Sequence, residues 1–384
     1  MVIPLTMRSI NQPEAADRWL LATPQTMIVQ PTSLCPLACT YCYLPERHRK
    51  QEMTIETARA LAEGIGAEWG IGKPLEIVWH GGEPLAVGCA RFRELLAPFE
   101  DLRAAGRVVH RIQTGATLIN DEWCGLFKDY DIDVGVSLDG PRFVNRHRVD
   151  RAGREMFDRI LRGIECLKAH DIGFTTLAVV TEDSIPHAEE LLKFFAELGC
   201  SWIGLNVEGK EAANVDGQPP ALEQARSFWR DVFRWSAANP TMTIREVRSL
   251  FGFLGLASEI QSADGLHDPI PTVGWNGDVI LLSPELLGVR SAEYEDFVAG
   301  NVRRESIASI VGRAAEIGYV REFMDGLNEC KRTCEFWNYC QGAHAGNRYF
   351  EHGNFRATET LHCLTSFQAP VLALGDLMRE GANE

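Results

Sequence analysis

Six short runs rich in β-branched and aromatic residues recur through the first half of the chain: "TMIVQPT", "LEIVWH", "VVHRIQT", "DVGVSLD", "FTTLAVV" and "SWIGLNV". Between them lie segments of helical period such as "TIETARALAEGIGAEW", "FDRILRGIECLKAH" and "IPHAEELLKFFAELG". No other feature restricts the fold as much as this alternation. The runs are too uniformly apolar to keep one face in water, which predicts a parallel sheet covered by helices, an α/β fold. With right-handed crossovers such a sheet becomes a doubly wound layer or a barrel, complete or partial.

In a barrel the chemistry sits where the strands end. "SLCPLACTYCYLPER" follows the first strand, "HGGEP" ends the second, "QTGAT" the third and "SLDGP" the fourth. The first loop holds Cys35, Cys39 and Cys42 in C-x3-C-x2-C spacing, and the next cysteine is Cys89. A structural zinc takes four protein ligands. Cysteines used as small buried hydrophobes occur singly, so three in one loop point to a metal centre with an open coordination position. The other single cysteines, Cys89, Cys124, Cys166 and Cys200, read as buried small residues.

The N-terminus shows no basic stretch followed by an apolar one, so a signal peptide is not expected, and no apolar run approaches the roughly 18 residues of a membrane span. A cytoplasmic location follows as the expectation, in which eleven cysteines mean metal or catalysis before disulfides. A formal net charge of −15 argues against a nucleic-acid backbone as partner.

After the sixth strand the pattern changes. "EGKEAANVDGQPPA" reads as a linker, followed by helices near "ALEQARSFWRDVFRWSAA" and "IREVRSLFGFLG". "TVGWNGDVILLSP" reads as a hairpin turning at Asn276-Gly277. The last hundred residues carry a second cysteine group: Cys330, Cys334, Cys340 and Cys363. Boundaries are expected near 1–215 for the barrel, 216–265 for a helical connector and 266–384 for a cysteine-bearing module.

The C-x3-C-x-aromatic-C loop, with "GGEP" one strand later, resembles the radical S-adenosylmethionine superfamily. That resemblance implies a partial (β/α)6 TIM-like barrel. Cys35, Cys39 and Cys42 would hold a [4Fe-4S] cluster whose open iron binds S-adenosylmethionine, the source of a hydrogen-abstracting 5′-deoxyadenosyl radical. It further implies Tyr41 at the adenine, Gly81, Gly82 and Glu83 at the methionine amino group, Ser137 at the ribose and Arg148 at the methionine carboxylate. Glycines permit close backbone approach and a carboxylate can pair with an ammonium, although a tight turn with a surface glutamate is the plain alternative.

"CKRTCEFWNYCQGAH" and the distant Cys363 resemble the SPASM extension of radical enzymes that modify peptides, with His344 where a further cysteine stands in that family. The upstream hairpin has no cysteine either. The resemblance therefore implies one auxiliary [4Fe-4S] cluster on Cys330, Cys334, Cys340 and Cys363, with a four-cysteine zinc site as the alternative. "QPTSLCPLACTYCYLPER", "VWHGGEP", "QTGATLIN", "SPELLG", "DFVAGNV" and "ATETLHC" resemble the subfamily that forms cyclophanes in ribosomally made precursor peptides, with departures at Gly115 and His344. The 34 residues before Cys35 are too few for the winged-helix leader-binding domain of some relatives.

The implied activity is C–H abstraction followed by carbon–carbon bond formation and loss of two hydrogens, with flavodoxin or ferredoxin as electron donor. Glu208, at the end of the sixth strand, is the candidate for accepting the ring proton. Intra-residue ring closure, a sulfatase-type maturase and a non-catalytic cluster- or zinc-stabilised peptide-binding protein are the alternatives.

Overall fold

The computed structural model describes residues 19–255 and 266–381. The N-terminal stretch read for a signal peptide and the end of the expected connector lie outside the described residues, apart from Trp19. The six predicted strands are present as β1 (Thr26–Val29), β2 (Leu75–Trp79), β3 (Val108–Thr114), β4 (Asp133–Ser137), β5 (Phe174–Val180) and β6 (Trp202–Val207). They pair in parallel and in chain order. Helices such as Ile55–Glu63, Asp121–Asp129, Phe157–Ala169 and Ala188–Glu197 form the crossovers. Two of them start on side-chain caps: Thr54 accepts from Thr57 N and Asn120 from Trp123 N.

The sheet does not stop at six strands. A seventh parallel strand, β7 (Thr243–Ile244), joins β6 from within the connector. On the other edge β8 (Thr272–Val273) lies parallel to β1 and turns at Asn276-Gly277 into antiparallel β9 (Asp278–Ile280). Gly277 there has φ +88°, the left-handed conformation such a turn requires. Antiparallel β10 (Gly300–Asn301) completes an open ten-stranded order, β10-β9-β8-β1-β2-β3-β4-β5-β6-β7. The carboxylate of Asp268 accepts the N–H groups of Gln25 (3.0 Å) and Thr26 (2.9 Å) and ties the two ends of this junction together.

The strands alternate between buried and half-buried residues and are not apolar on both faces. Leu75, Ile77, Trp79, Ile112, Val134 and Val136 are fully buried and belong to the apolar core. Glu76, Arg111, Gln113, Gly135 and Leu177 line an open cavity with the strand starts. The apolar core thus lies between sheet and helices, and the concave side keeps polar groups that the sequence pattern understated. No helix among the described residues is long and apolar enough to cross a membrane.

Candidate active site

The expected N-terminal site residues lie at or just beyond the C-terminal ends of β1, β2, β4 and β6. The cysteine loop after β1 is held by backbone bonds to several neighbours: Cys35 N to Arg47 O (2.8 Å), Ala38 N to Val149 O (2.7 Å) and Thr40 N to His147 O (3.1 Å). Arg47 also donates to the carbonyls of Cys42 (3.1 Å) and Cys39 (3.4 Å). Cys39 is buried, while Cys35 and Cys42 are half-buried. Desolvation pushes the Cys39 thiol up to about 11 and Cys35 further above its ordinary value. Burial disfavours the thiolates here, so a metal bound by them would displace protons.

Gly81 (φ +84°) and Gly82 (φ +69°) turn the chain after β2. A Cβ on Gly82 would stand 2.5 Å from Thr32 O and 2.8 Å from Leu34 O. The glycines therefore let this turn press against the cysteine loop, which Glu83 N secures by donating to Leu34 O at 2.8 Å. The Glu83 carboxylate is 1 % exposed and is no surface cap. It accepts from Thr114 Oγ1 (2.7 Å), Gly115 N (2.8 Å) and Leu85 N (3.1 Å), joining the β2 and β3 loops. Burial raises its pKa and these three donors oppose the rise. A Cβ at Gly115 would meet Leu37 Cδ1 at 2.9 Å and Glu83 Oε2 at 3.3 Å, so a side chain there has to displace Leu37.

Ser137, at the end of β4, accepts from Gln113 Nε2 at 2.8 Å. Arg148 is nearly buried. Its Nη2 donates to Asp139 Oδ1 at 2.8 Å and its guanidinium lies 5.5 Å from the Tyr41 ring centre. Asp139 also accepts the Tyr41 hydroxyl and Val179 N (2.9 Å). Tyr41 and Arg148 are thus brought together by a carboxylate that the sequence reading missed. The Arg148 Nε is buried without a hydrogen-bond partner.

Glu208 is half-buried, with Asn214 Nδ2 at 3.4 Å from its Oε1. Three residues on, Glu211 accepts from Asn347 Nδ2 at 3.2 Å. Burial, then the charge of Glu285, raise the Glu211 pKa to about 8, with Glu208 adding to the rise. Tyr43, just past Cys42, lies within range of Glu285 and Glu211 and hydrogen-bonds His80 Nε2 at 3.2 Å. Glu285 lies just past β9 and Asn347 in the helix Ala345–His352, so residues far along the chain gather around Glu211. His344 Nε2 lies 3.9 Å from Glu285 Oε2.

Cys330, Cys334, Cys340 and Cys363 line one cavity with Trp337, Gly342, Arg348 and Thr360. Arg348 is 2 % exposed and donates to Gly342 O (2.7 Å), Phe355 O (3.2 Å) and Cys330 Sγ (3.3 Å), with no ion pair to a carboxylate among the described residues. Gly326 and Gly342 make room for it, since a Cβ on either would meet its guanidinium at 2.2 Å and 3.2 Å. A buried cation aimed at thiols fits an anionic metal–thiolate group. Gln368 Nε2 stands 3.5 Å from Cys363 Sγ, and hydrogen bonds from Cys340 and Gln368 draw the Cys363 thiol down. A tetrahedral zinc brings its thiolates to roughly 3.8 Å of one another. Among the described residues the set of metal-capable side chains with ligand atoms all within 4.8 Å is a different one, Cys124, Cys166 and His170. The wider C-terminal group suits a cluster better than a single ion.

The expectation of isolated Cys124 and Cys166 is corrected by the structure. Their Sγ atoms stand 3.7 Å apart between two crossover helices, and Cys166 is half-buried.

The family model described as the radical SAM superfamily matches residues 29–195. An uncharacterized Synechocystis protein, sll1766, is 33% identical over 349 residues, covering 88% of this chain and 87% of that protein. The serine-type anaerobic sulfatase-maturating enzyme of Klebsiella aerogenes is 32% identical over 175 residues, 44% of this chain and 43% of that enzyme. Among solved structures, native anSMEcpe with bound AdoMet superposes with a TM-score of 0.74 at 21% identity, covering 94% of this chain and 100% of that one. Streptococcus suis SuiB bound to precursor peptide SuiA gives 0.67 at 18% identity, covering 89% and 76%. At these identities the two structures speak for the fold.

Proposed function

The chain belongs to the radical SAM superfamily, and from that premise we propose that it oxidises a ribosomally made precursor peptide by joining an aromatic ring carbon to the β-carbon of a nearby residue. When bound, a four-iron cluster on Cys35, Cys39 and Cys42 with S-adenosylmethionine supplies hydrogen-atom abstraction, and a second cluster on Cys330, Cys334, Cys340 and Cys363 supplies an electron acceptor. Tyr41, Gly81, Gly82, Glu83, Ser137 and Arg148 are the proposed contacts to S-adenosylmethionine, with Glu83 keeping one lone pair for the amino group beyond its three donors.

The observation that supports this reading is the buried carboxyl of Glu211, which accepts from Asn347 and is reached by the charges of Glu285 and Glu208. Forming a ring-to-carbon bond removes one hydrogen as an atom and the second as a proton and an electron. The proton needs a base beside the ring, and Glu211, with a pKa near working pH, suits that task better than Glu208. Asn347 orients the Glu211 carboxylate through its amide N–H. The peptide is proposed to enter along the open strand edge, and holding both residues side by side replaces a bimolecular encounter.

A second reading, oxidation of a serine or cysteine in a partner protein, is favoured by the likeness to the Klebsiella maturase over the barrel half. Coexpression with any short peptide encoded beside the gene, followed by tandem mass spectrometry, separates the two. Loss of two hydrogens with no backbone fragmentation between an aromatic residue and its partner supports the crosslink. The same loss on a serine that then reacts with a hydrazide marks an aldehyde and the maturase reading. Confinement to one aliphatic residue indicates an intra-residue ring.

A further inference from the structure

Cys124 and Cys166 belong to neither cysteine group. Cys124 lies in the first turn of helix Asp121–Asp129 and Cys166 in the last turn of helix Phe157–Ala169. The spacings Asp121-x2-Cys124 and Cys166-x3-His170 place each pair on one helix face. The ligand atoms of Cys124, Cys166 and His170 all lie within 4.8 Å of one another.

Three of the six edges of a four-ligand site match a tetrahedron, and Asp121 has to turn inward to complete it. With metal bonds of about 2.3 Å to sulfur and 2.0–2.2 Å to nitrogen or oxygen, the edges come to roughly 3.8 Å for sulfur–sulfur, 3.6 Å for sulfur–oxygen and 3.4 Å for nitrogen–oxygen. The structure has Cys124 Sγ to Cys166 Sγ at 3.7 Å, Cys166 Sγ to Asp121 Oδ1 at 3.7 Å and His170 Nε2 to the same Oδ1 at 3.5 Å. His170 Nδ1 sits 3.0 Å from the Cys166 carbonyl oxygen. It therefore donates there and leaves the Nε2 lone pair free as a ligand beside Asp121, as metal-bound histidines are commonly oriented.

We propose that Cys124, Cys166, His170 and Asp121 bind a zinc-type divalent ion that clamps these two helices together. Cys124 is buried, whereas the Asp121 side chain is 88% exposed, which opens a path for the ion and frees the carboxylate to turn onto it. A four-iron cluster does not fit two cysteines this close. Gly163, one turn before Cys166, packs so tightly that a Cβ would stand 2.1 Å from Ala116 O. Holding this helix in place also holds the loop whose Gly115 N–H binds Glu83.

The test uses the full-length, cluster-loaded enzyme exposed to zinc and washed free of excess. Elemental analysis should find about one zinc per chain, and the zinc-edge X-ray absorption spectrum should show two sulfur neighbours near 2.3 Å and two nitrogen or oxygen neighbours at about 2.0–2.2 Å. Cys124→Ser and His170→Ala should lose the zinc and keep the full iron content. Absence of zinc from the unaltered enzyme, four sulfur neighbours, zinc retained by Cys124→Ser, or a Cys124–Cys166 disulfide in anaerobically isolated protein would each overturn the proposal. The spectrum of the unaltered enzyme decides the matter even where a variant does not fold.

Discussion

The guanidinium of Arg148 meets the carboxylate of Asp139 at 2.8 Å in a nearly solvent-free position, and the same carboxylate holds the Tyr41 hydroxyl. One acid thereby couples the residue beside Cys42 to the loop after β4. Asp139→Asn leaves the Arg148 charge without its partner, which costs about 3 kcal/mol or more for a buried pair. Urea denaturation should show that loss, together with weaker S-adenosylmethionine binding. An unchanged midpoint would contradict the assigned coupling.

Cys39→Ala removes one of three clustered thiols and should abolish 5′-deoxyadenosine formation under dithionite. The iron bound by the C-terminal group should remain. Cleavage of S-adenosylmethionine at the unaltered rate would defeat the radical reading.

Iron and sulfide analysis of the reconstituted protein should give roughly eight of each per chain, two four-iron clusters and not three. Roughly four irons with a zinc bound by four sulfurs would return the C-terminal group to a structural zinc role.

Glu211 provides a pH test. Its pKa rises from an ordinary value of 4.5 to about 8 in the fold, so the folded chain holds this proton more tightly than the unfolded chain. The stability linked to this group is present below the unfolded pKa and is lost as pH rises through about 8. As a base it works only when deprotonated, so product formation should climb through the same range. Glu211→Gln should suppress product formation with S-adenosylmethionine cleavage retained, and Glu285→Gln should move the rising limb to lower pH. Single-turnover product yields across that range check both.

Gly82→Ala adds a Cβ at a left-handed φ, 2.5 Å from Thr32 O. The cysteine loop must shift to admit it, so iron retention at the N-terminal site should fall sharply while the C-terminal site keeps its iron. Normal iron content at both sites would show that the turn tolerates the side chain.

The strands were legible because each is a compact β-branched run bounded by turn residues, and the hairpin because Asn276-Gly277 carries its own turn geometry. Cysteine spacing marked both thiol groups for the same reason: the signal is local. What the sequence hid is long-range. Nothing in the neighbourhood of Asp139 announces that it will hold Tyr41 and Arg148. Glu208 drew attention by following a strand, while Glu211 draws its high pKa from burial and from Glu285, far along the chain. Cys124 and Cys166 look solitary in sequence because two separate helices bring them together. Arg348 had only an indirect sign, the small residues Gly326 and Gly342 that give it space.

The pairing of β8 with β1 has a consequence for synthesis. β1 has one neighbour, β2, early in the chain, and its other edge waits for Thr272 and Val273. The bonds from Asp268 that close this seam reach back 242 residues. At ribosomal speeds of roughly 5–20 residues per second, the edge beside the cysteine loop stays unpaired for some tens of seconds. During that interval it is an open template for strands of other chains, and the thiols next to it lack their final cover. That exposure ends only when the far end of the chain reaches the first strand.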